Sequence, residues 1–134
     1  MNTQPRIFVT DQDFHRLSAL VSQYDTDAAV QLEEELGRAH IVPQKEIPAN
    51  VVTMNSRLRY REESTGTVRE TSLVYPQDAN LDKGAISVLA PVGAALLGLS
   101  VGASIDWIMP NGVTKKITVT DVVFQPEAEG QFNL

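Results

Sequence analysis

Three arginines, Arg57, Arg59 and Arg61, alternate with apolar residues in a chain whose formal net charge is −6. Arginine at every second position puts three guanidinium groups on one face of an extended strand. Such planar forks bind carboxylates and phosphates. The stripe, with Arg69 expected beside it, has two readings. It is a row of cations for an acidic protein surface, or a solvated sheet face paired across strands to Glu62, Glu63 or Glu70. A second group of charges is Asp25 and Asp27, within Tyr24-Asp25-Thr26-Asp27. Carboxylates at that spacing cap a following helix, or present negative charge at a loop tip. Glu33, Glu34 and Glu35 read as a wet helix face, with a basic partner as the alternative.

Other chemistries find little support. The chain has two histidines, His15 and His40, and no cysteine. Neither histidine stands at metal-ligand spacing from another ligand, so both are expected to be structural. No metal and no cofactor are expected, and no Gly-rich phosphate loop or nucleophile elbow is present. The acidity argues against direct nucleic-acid binding, because neutralising phosphates dominates that affinity. The absence of cysteine fits a reducing cytoplasm. Met1 to Gln4 carry no apolar signal core, and no apolar run approaches the ~18 residues of a membrane span. A single small domain with a modest core is expected from 134 residues, 43% of them hydrophobic.

The elements that must position these residues fall into two parts. The first, about Arg6 to Ile41, reads as helical. A short extended piece, Ile7-Phe8-Val9, leads to Thr10 and Asp11 as N-cap residues, and Asp13 suits the positive end of a helix. Phe14, Leu17, Leu20 and Val21 recur at helical spacing, as do Ala28, Leu32, Leu36 and Ala39. Two such helices of about 13 residues, roughly 20 Å each, are predicted to fold back on one another as an antiparallel hairpin. The second helix stops before Pro43, because proline disfavours helix in the residue preceding it.

The second part, from Val51 to Phe124, reads as strands around one short helix. Val52, Met54, Leu58 and Tyr60 are predicted on the inner face of a strand whose outer face carries the arginines. Val68 to Tyr75 is its partner, with a bulge possible. Ile86 to Leu89 forms a short strand. Pro91 opens a helix that Gly98 closes. Ile105, Trp107 and Met109 alternate toward a two-residue hairpin at Asn111-Gly112. The return strand places Val113, Ile117 and Val119 on one face. The tail from Gln125 to Leu134 reads as irregular. The fold class is α+β, divided into residues 1–47 and 48–134.

The run Ile86-Ser87-Val88-Leu89-Ala90-Pro91-Val92-Gly93-Ala94-Ala95-Leu96-Leu97-Gly98, followed by Val101-Gly102, resembles the signature of the C-terminal domain of the Gre transcription factors. Val51 to Arg57, Gln125 to Gly130, Leu134 and, less tightly, Ile7 to Leu17 are similar to a short-armed branch of that family. The chain departs from the Gre pattern at Ala90, Ala94 and Ala103, where Gre factors carry Ser, Arg and Asp. The resemblance implies a short coiled-coil arm on an FKBP-like domain, an antiparallel sheet wrapped around one short helix. It implies a monomer that binds bacterial RNA polymerase near its secondary channel.

Gre factors pass a long hairpin through that channel and present tip carboxylates to the active-centre metal. Here the tip would be Asp25 and Asp27, on an arm too short for that task. The expectation is a non-enzymatic regulator that competes with Gre factors without stimulating transcript cleavage, and that affects nucleoside diphosphate kinase levels indirectly. Arg57, Arg59, Arg61, Arg69, Asn80 and Ser100 are the candidate polymerase contacts. Three alternatives stand beside it: a Gre-like cleavage factor, an adaptor for another protein, and a peptidyl-prolyl isomerase. The last requires an aromatic pocket, which Trp107 would have to floor in a chain with 6% aromatics.

Overall fold

In the computed structural model, residues 5–109 and 111–132 are described. Met1 to Gln4 and Leu134, used in the sequence reading, lie outside them, as do Pro110 and Asn133.

Chain order begins with β1 (Phe8–Thr10), α1 (Asp11–Val21), α2 (Asp27–Arg38) and β2 (His40–Val42). Thr10 caps α1, its Oγ1 accepting the Asp13 N–H at 3.0 Å. Thr26 caps α2 in the same way, accepting from Ala29 N–H at 3.1 Å. Each cap satisfies an amide that the first helical turn leaves without a partner. The two helices pack on one another across the Ser22–Thr26 connection.

Two details differ from the sequence reading. The helices have 11 and 12 residues, so they are shorter than the predicted 13. The second ends at Arg38, before the predicted limit at Ile41. Ile41 and Val42, β-branched and leading into Pro43, join β2 instead, which pairs in parallel with β1 (Phe8↔His40, Val9↔Ile41).

The larger sheet holds β3 (Arg57–Glu62), β4 (Thr67–Val74), β5 (Ala85–Ser87), β6 (Ser104–Ile108) and β7 (Thr114–Phe124), in the order β5-β4-β3-β7-β6. All neighbours are antiparallel except β4 and β5, which run in parallel. The strand predicted from Val52 onward starts only at Arg57. Residues 51–56 form a bridge to Ser100 and a tight turn, with Asn55 at φ 68°. Asparagine tolerates this left-handed conformation better than most residues. Val52 and Met54 are nonetheless buried, as expected. The bulge expected in β4 lies instead in β7, whose register against β3 shifts twice. The β6–β7 turn is wider than two residues: Ile108 pairs with Thr114, and Met109 N–H donates to Val113 O. Val113 is therefore outside the ladder and 52% exposed, whereas Ile117 and Val119 are buried.

Between β5 and β6 lies the short helix α3 (Pro91–Leu96), with Pro91 in its first turn. A Cβ at Gly93 would come 2.0 Å from Ser87 O, so only glycine lets α3 lie this close to β5. Gly98 has φ +81°, and its carbonyl accepts Phe8 N–H at 3.1 Å, which ties β1 to the turn after α3. One core unites the chain. Leu17, Val21, Leu32 and Leu36 from the helical hairpin pack in the same cluster as Leu58, Leu96 and Ile117. The hairpin thus buries its stripe against the sheet body as well as against itself, and α2 packs against α3.

Candidate functional site

The arginine stripe is held by neighbouring carboxylates. Antiparallel register places Arg57 opposite Ser72, Arg59 opposite Glu70 and Arg61 opposite Val68, all on one face. Glu70 sits between two guanidinium groups: Arg57 Nε donates to its Oε2 at 2.7 Å and Arg59 Nε to its Oε1 at 2.9 Å. Arg57 also reaches Ser72 Oγ at 3.2 Å, and Arg61 pairs with Glu63 at 2.5 Å. These hydrogen bonds hold the carboxyls of Glu70 and Glu63 below the usual range. Glu62, the third acid considered, lies 3.5 Å from Lys115 instead. On the other side of β3, Asp121 stands opposite Arg59. The face is therefore a lattice of cross-strand pairs. Arg69 does not join it, because it stands opposite Tyr60, whose side chain points into the core. The sequence reading placed Arg69 beside the stripe; strand alternation puts it on the opposite face.

At the hairpin tip Asp25 and Asp27 are exposed. Asp27 is the first residue of α2, where a negative charge suits the helix dipole. Among the described residues no group of three or more His, Cys, Asp or Glu side chains is placed to hold a metal ion. Glu33 and Glu34 face solvent, while Glu35 pairs with Arg38 at 2.5 Å. Asn80 caps the turn Leu81–Lys83, its side chain accepting from Asp82 N–H at 3.1 Å. Ser100 is half-buried in its bridge to Val51. These two candidates belong to different connections. His15 is exposed on α1, and the His40 ring lies 5.6 Å from that of Phe8. Trp107 is buried in the core.

The sequence reading passed over two features. A groove of about 660 Å³ runs between α1 and the segment after β4, lined by His15, Arg16, Leu20, Asn55 and Tyr75. A smaller one, about 350 Å³, brings Asp27 and Val30 of α2 together with Pro91, Ile108 and Met109. Val30 and Ile108 are among the exposed large apolar residues. This second groove joins the start of α2, at the hairpin tip, with the start of α3 and the β6–β7 turn.

Next to the larger groove is Asp13, only 4% exposed. Its Oδ2 accepts the Met54 amide at 3.1 Å. Burial, and secondarily the charge of Glu127, push its carboxyl up to about 6, against the pull of Met54 N–H, Thr10 and Arg16. The sequence signal was the Thr10-x-x-Asp13 spacing of a capping box, which marks the residue but not its distant partner. Within the described part of the tail, two side chains reach distant partners. Gln125 Nε2 donates to Pro48 O and Val51 O at 2.7 and 2.8 Å, and Glu127 accepts from Thr53 Oγ1 at 2.7 Å.

With this geometry in place, comparison with known proteins gives consistent matches. A family model described as transcription elongation factor GreA/GreB, C-terminal, matches residues 47–124. A model of the Rnk N-terminus matches residues 5–42. The regulator of nucleoside diphosphate kinase of Escherichia coli K12 is 43% identical over 98% of this chain and 99% of its own. GreA of Flavobacterium johnsoniae is 33% identical over 63% of this chain, but only 54% of GreA is covered. Among solved structures, a GreA/GreB elongation factor from Nitrosomonas europaea is 40% identical with a TM-score of 0.73, over 90% of this chain and all of that one. Among the described residues no helix is long and apolar enough to cross a membrane.

Proposed function

The chain belongs to the GreA/GreB family, and from that premise we propose that it is a non-enzymatic regulator that docks on RNA polymerase near the secondary channel. The sheet with α3 is read as the FKBP-like docking body and the hairpin as a short coiled-coil arm, parted near Ile47. The protein occupies the Gre position and competes with Gre factors there by mass action. It does not stimulate transcript cleavage. An effect on nucleoside diphosphate kinase, the property in its relative's name, follows indirectly through transcription.

Hairpin length carries this reading. Helices of 11 and 12 residues extend about 16 and 18 Å at ~1.5 Å per residue. Part of that length is spent packing against the sheet body and α3. Cleavage chemistry needs carboxylates at the metal itself, and a probe of this reach leaves Asp25 and Asp27 short of it. The second groove, with Val30 and Ile108 exposed beside Pro91, supplies an apolar docking face where the start of α2 meets the sheet body. Arg57 and Arg59 supply a charged one.

The test is a pull-down of core polymerase by the purified chain, repeated with a Gre factor as competitor, alongside a cleavage assay on stalled complexes. Capture that the Gre factor displaces, with cleavage at background, is expected. Absence of capture, or stimulated cleavage, overturns the proposal.

A further inference from the structure

Both ends of the chain grip a single turn. From the N-terminal side, Asp13 on α1 accepts Met54 N–H at 3.1 Å. From the C-terminal side, Glu127 accepts Thr53 Oγ1–H at 2.7 Å. Thr53 has one hydroxyl proton, so its 2.8 Å contact with Ser56 must run the other way, Ser56 Oγ–H donating to Thr53 Oγ1. Thr53 N–H then donates to Ser56 Oγ at 2.9 Å. Thr53, Met54 and Ser56 are all buried. Asn55 N–H donates to Leu73 O, which fixes the turn to β4.

We propose that Asp13 and Glu127 are positioning residues forming one proton-responsive clamp, which holds the helical hairpin to the sheet through the Thr53–Met54 step and tightens when Asp13 takes up a proton.

The two donors sit on consecutive residues, so neither carboxylate moves away from the other without losing its hydrogen bond. Asp13 is buried and Glu127 half-buried, so little water screens their repulsion. The other ionisable groups acting on Asp13 are few: Arg16 on α1 opposes the repulsion, and Tyr75, beyond β4, has its hydroxyl pushed up to about 12 by burial and by Asp13. A neutral Asp13 keeps an oxygen that accepts Met54 N–H, though more weakly, and gives up its attraction to Arg16; in exchange it removes first the cost of burying a charge and then the repulsion from Glu127. The cost of the buried charge outweighs the weakened hydrogen bonds, which is why the clamp tightens. Asp13 at about 6 puts this change just below neutral pH.

The test uses the intact free chain and needs no polymerase, so its outcome and that of the docking experiment are separable. Carboxyl NMR follows Asp13 directly, and amide hydrogen exchange follows Met54, corrected for the intrinsic pH dependence of exchange. The expected result is a midpoint near 6 for Asp13, with Met54 protection rising about tenfold from pH 7.5 to 5. Glu127→Gln should lower the midpoint and shrink the rise. Asp13→Asn should keep Met54 protected with no pH step. An Asp13 midpoint in the ordinary carboxylate range overturns the proposal. So does Met54 protection that is flat with pH in the unmodified chain, or a step that persists in Asp13→Asn.

Discussion

Asp13 Oδ2 accepts the Met54 amide at 3.1 Å, joining residues 41 positions apart. The bond connects two segments that family models match separately, residues 5–42 and 47–124. A helix dipole would be served by Asp13 facing water. Its burial against Met54 instead makes it a tie between hairpin and sheet, alongside the Phe8 N–H to Gly98 O bond.

The first prediction concerns pH. The Asp13 carboxyl is raised in the folded state, from 3.8 to about 6. Its folded form therefore binds a proton more tightly than its unfolded form, and the stability this provides is present below about 4 and lost as pH rises through 6. Urea unfolding should show a gain of about 1 kcal/mol from this group between pH 7.5 and 5. Glu63 and Glu70, held low by their arginines, act oppositely, but only at more acidic pH, below the usual carboxylate range. A stability maximum on the acid side of neutral is expected. Steadily falling stability from pH 7.5 to 5 contradicts it.

Replacing Asp13 separates its hydrogen bond from its charge. Asp13→Ala leaves the buried Met54 amide without an acceptor and should cost about 1–3 kcal/mol at neutral pH. Asp13→Asn keeps an acceptor and removes the buried charge, so it should stay within about 1 kcal/mol of the parent. Equal losses in the two variants, measured by chemical denaturation at pH 7.5, would show that the carboxylate's bond is not what matters.

The sequence revealed what depends on neighbours along the chain. Thr10 was legible as a cap, Pro91 and Gly98 as helix limits, and the alternation of Arg57, Arg59 and Arg61 as one face; the turn of Tyr24 to Asp27 was legible as capping α2, though Thr26 rather than a carboxylate makes the cap. What stayed hidden depends on distant partners. Ile41 and Val42 leave the helix because β1 offers a parallel edge. Arg69 changes face because register with Tyr60 is set by the β3–β4 turn. Asp13 reads as an ordinary first-turn acid until Met54 and Glu127 are brought beside it. The tail looked irregular because Gln125 is held by the distant carbonyls of Pro48 and Val51 and Glu127 by the Thr53 hydroxyl, which no local pattern announces.

Gly93 is a sharp test of how α3 meets β5. An added methyl would meet Ser87 O at 2.0 Å, and backbone cannot yield as a side-chain tip does. Gly93→Ala should lose about 3 kcal/mol or more, despite alanine's better helix propensity. Thermal unfolding measures it, and an unchanged melting temperature would mean that α3 can shift away from β5 at little cost.

Charge reversal tests the stripe. Arg57→Glu with Arg59→Glu sets two carboxylates beside that of Glu70 and should weaken polymerase capture. These pairs are solvent-exposed, so the melting temperature should move by a few degrees at most. Adding Glu70→Lys restores cross-strand pairing with the signs exchanged. If docking uses the arginines themselves, capture stays weak in the triple variant. Full recovery of capture would assign the loss to disturbed β3–β4 pairing rather than to a partner contact.

The tip acids provide the final test, because two roles for them diverge. If reach limits the hairpin, Asp25 and Asp27 never meet the polymerase metal and their charge is dispensable for occupancy. Asp25→Asn with Asp27→Asn should then leave competition with a Gre factor unchanged. The cost to the fold should be small, about 0.5 kcal/mol, from the lost charge at the start of α2, since Thr26 still caps that helix. Competition titrations with matched protein concentrations read this directly. A several-fold loss of competition with the helices intact by circular dichroism would place the tip in contact with the channel, and the reach argument would have to be abandoned.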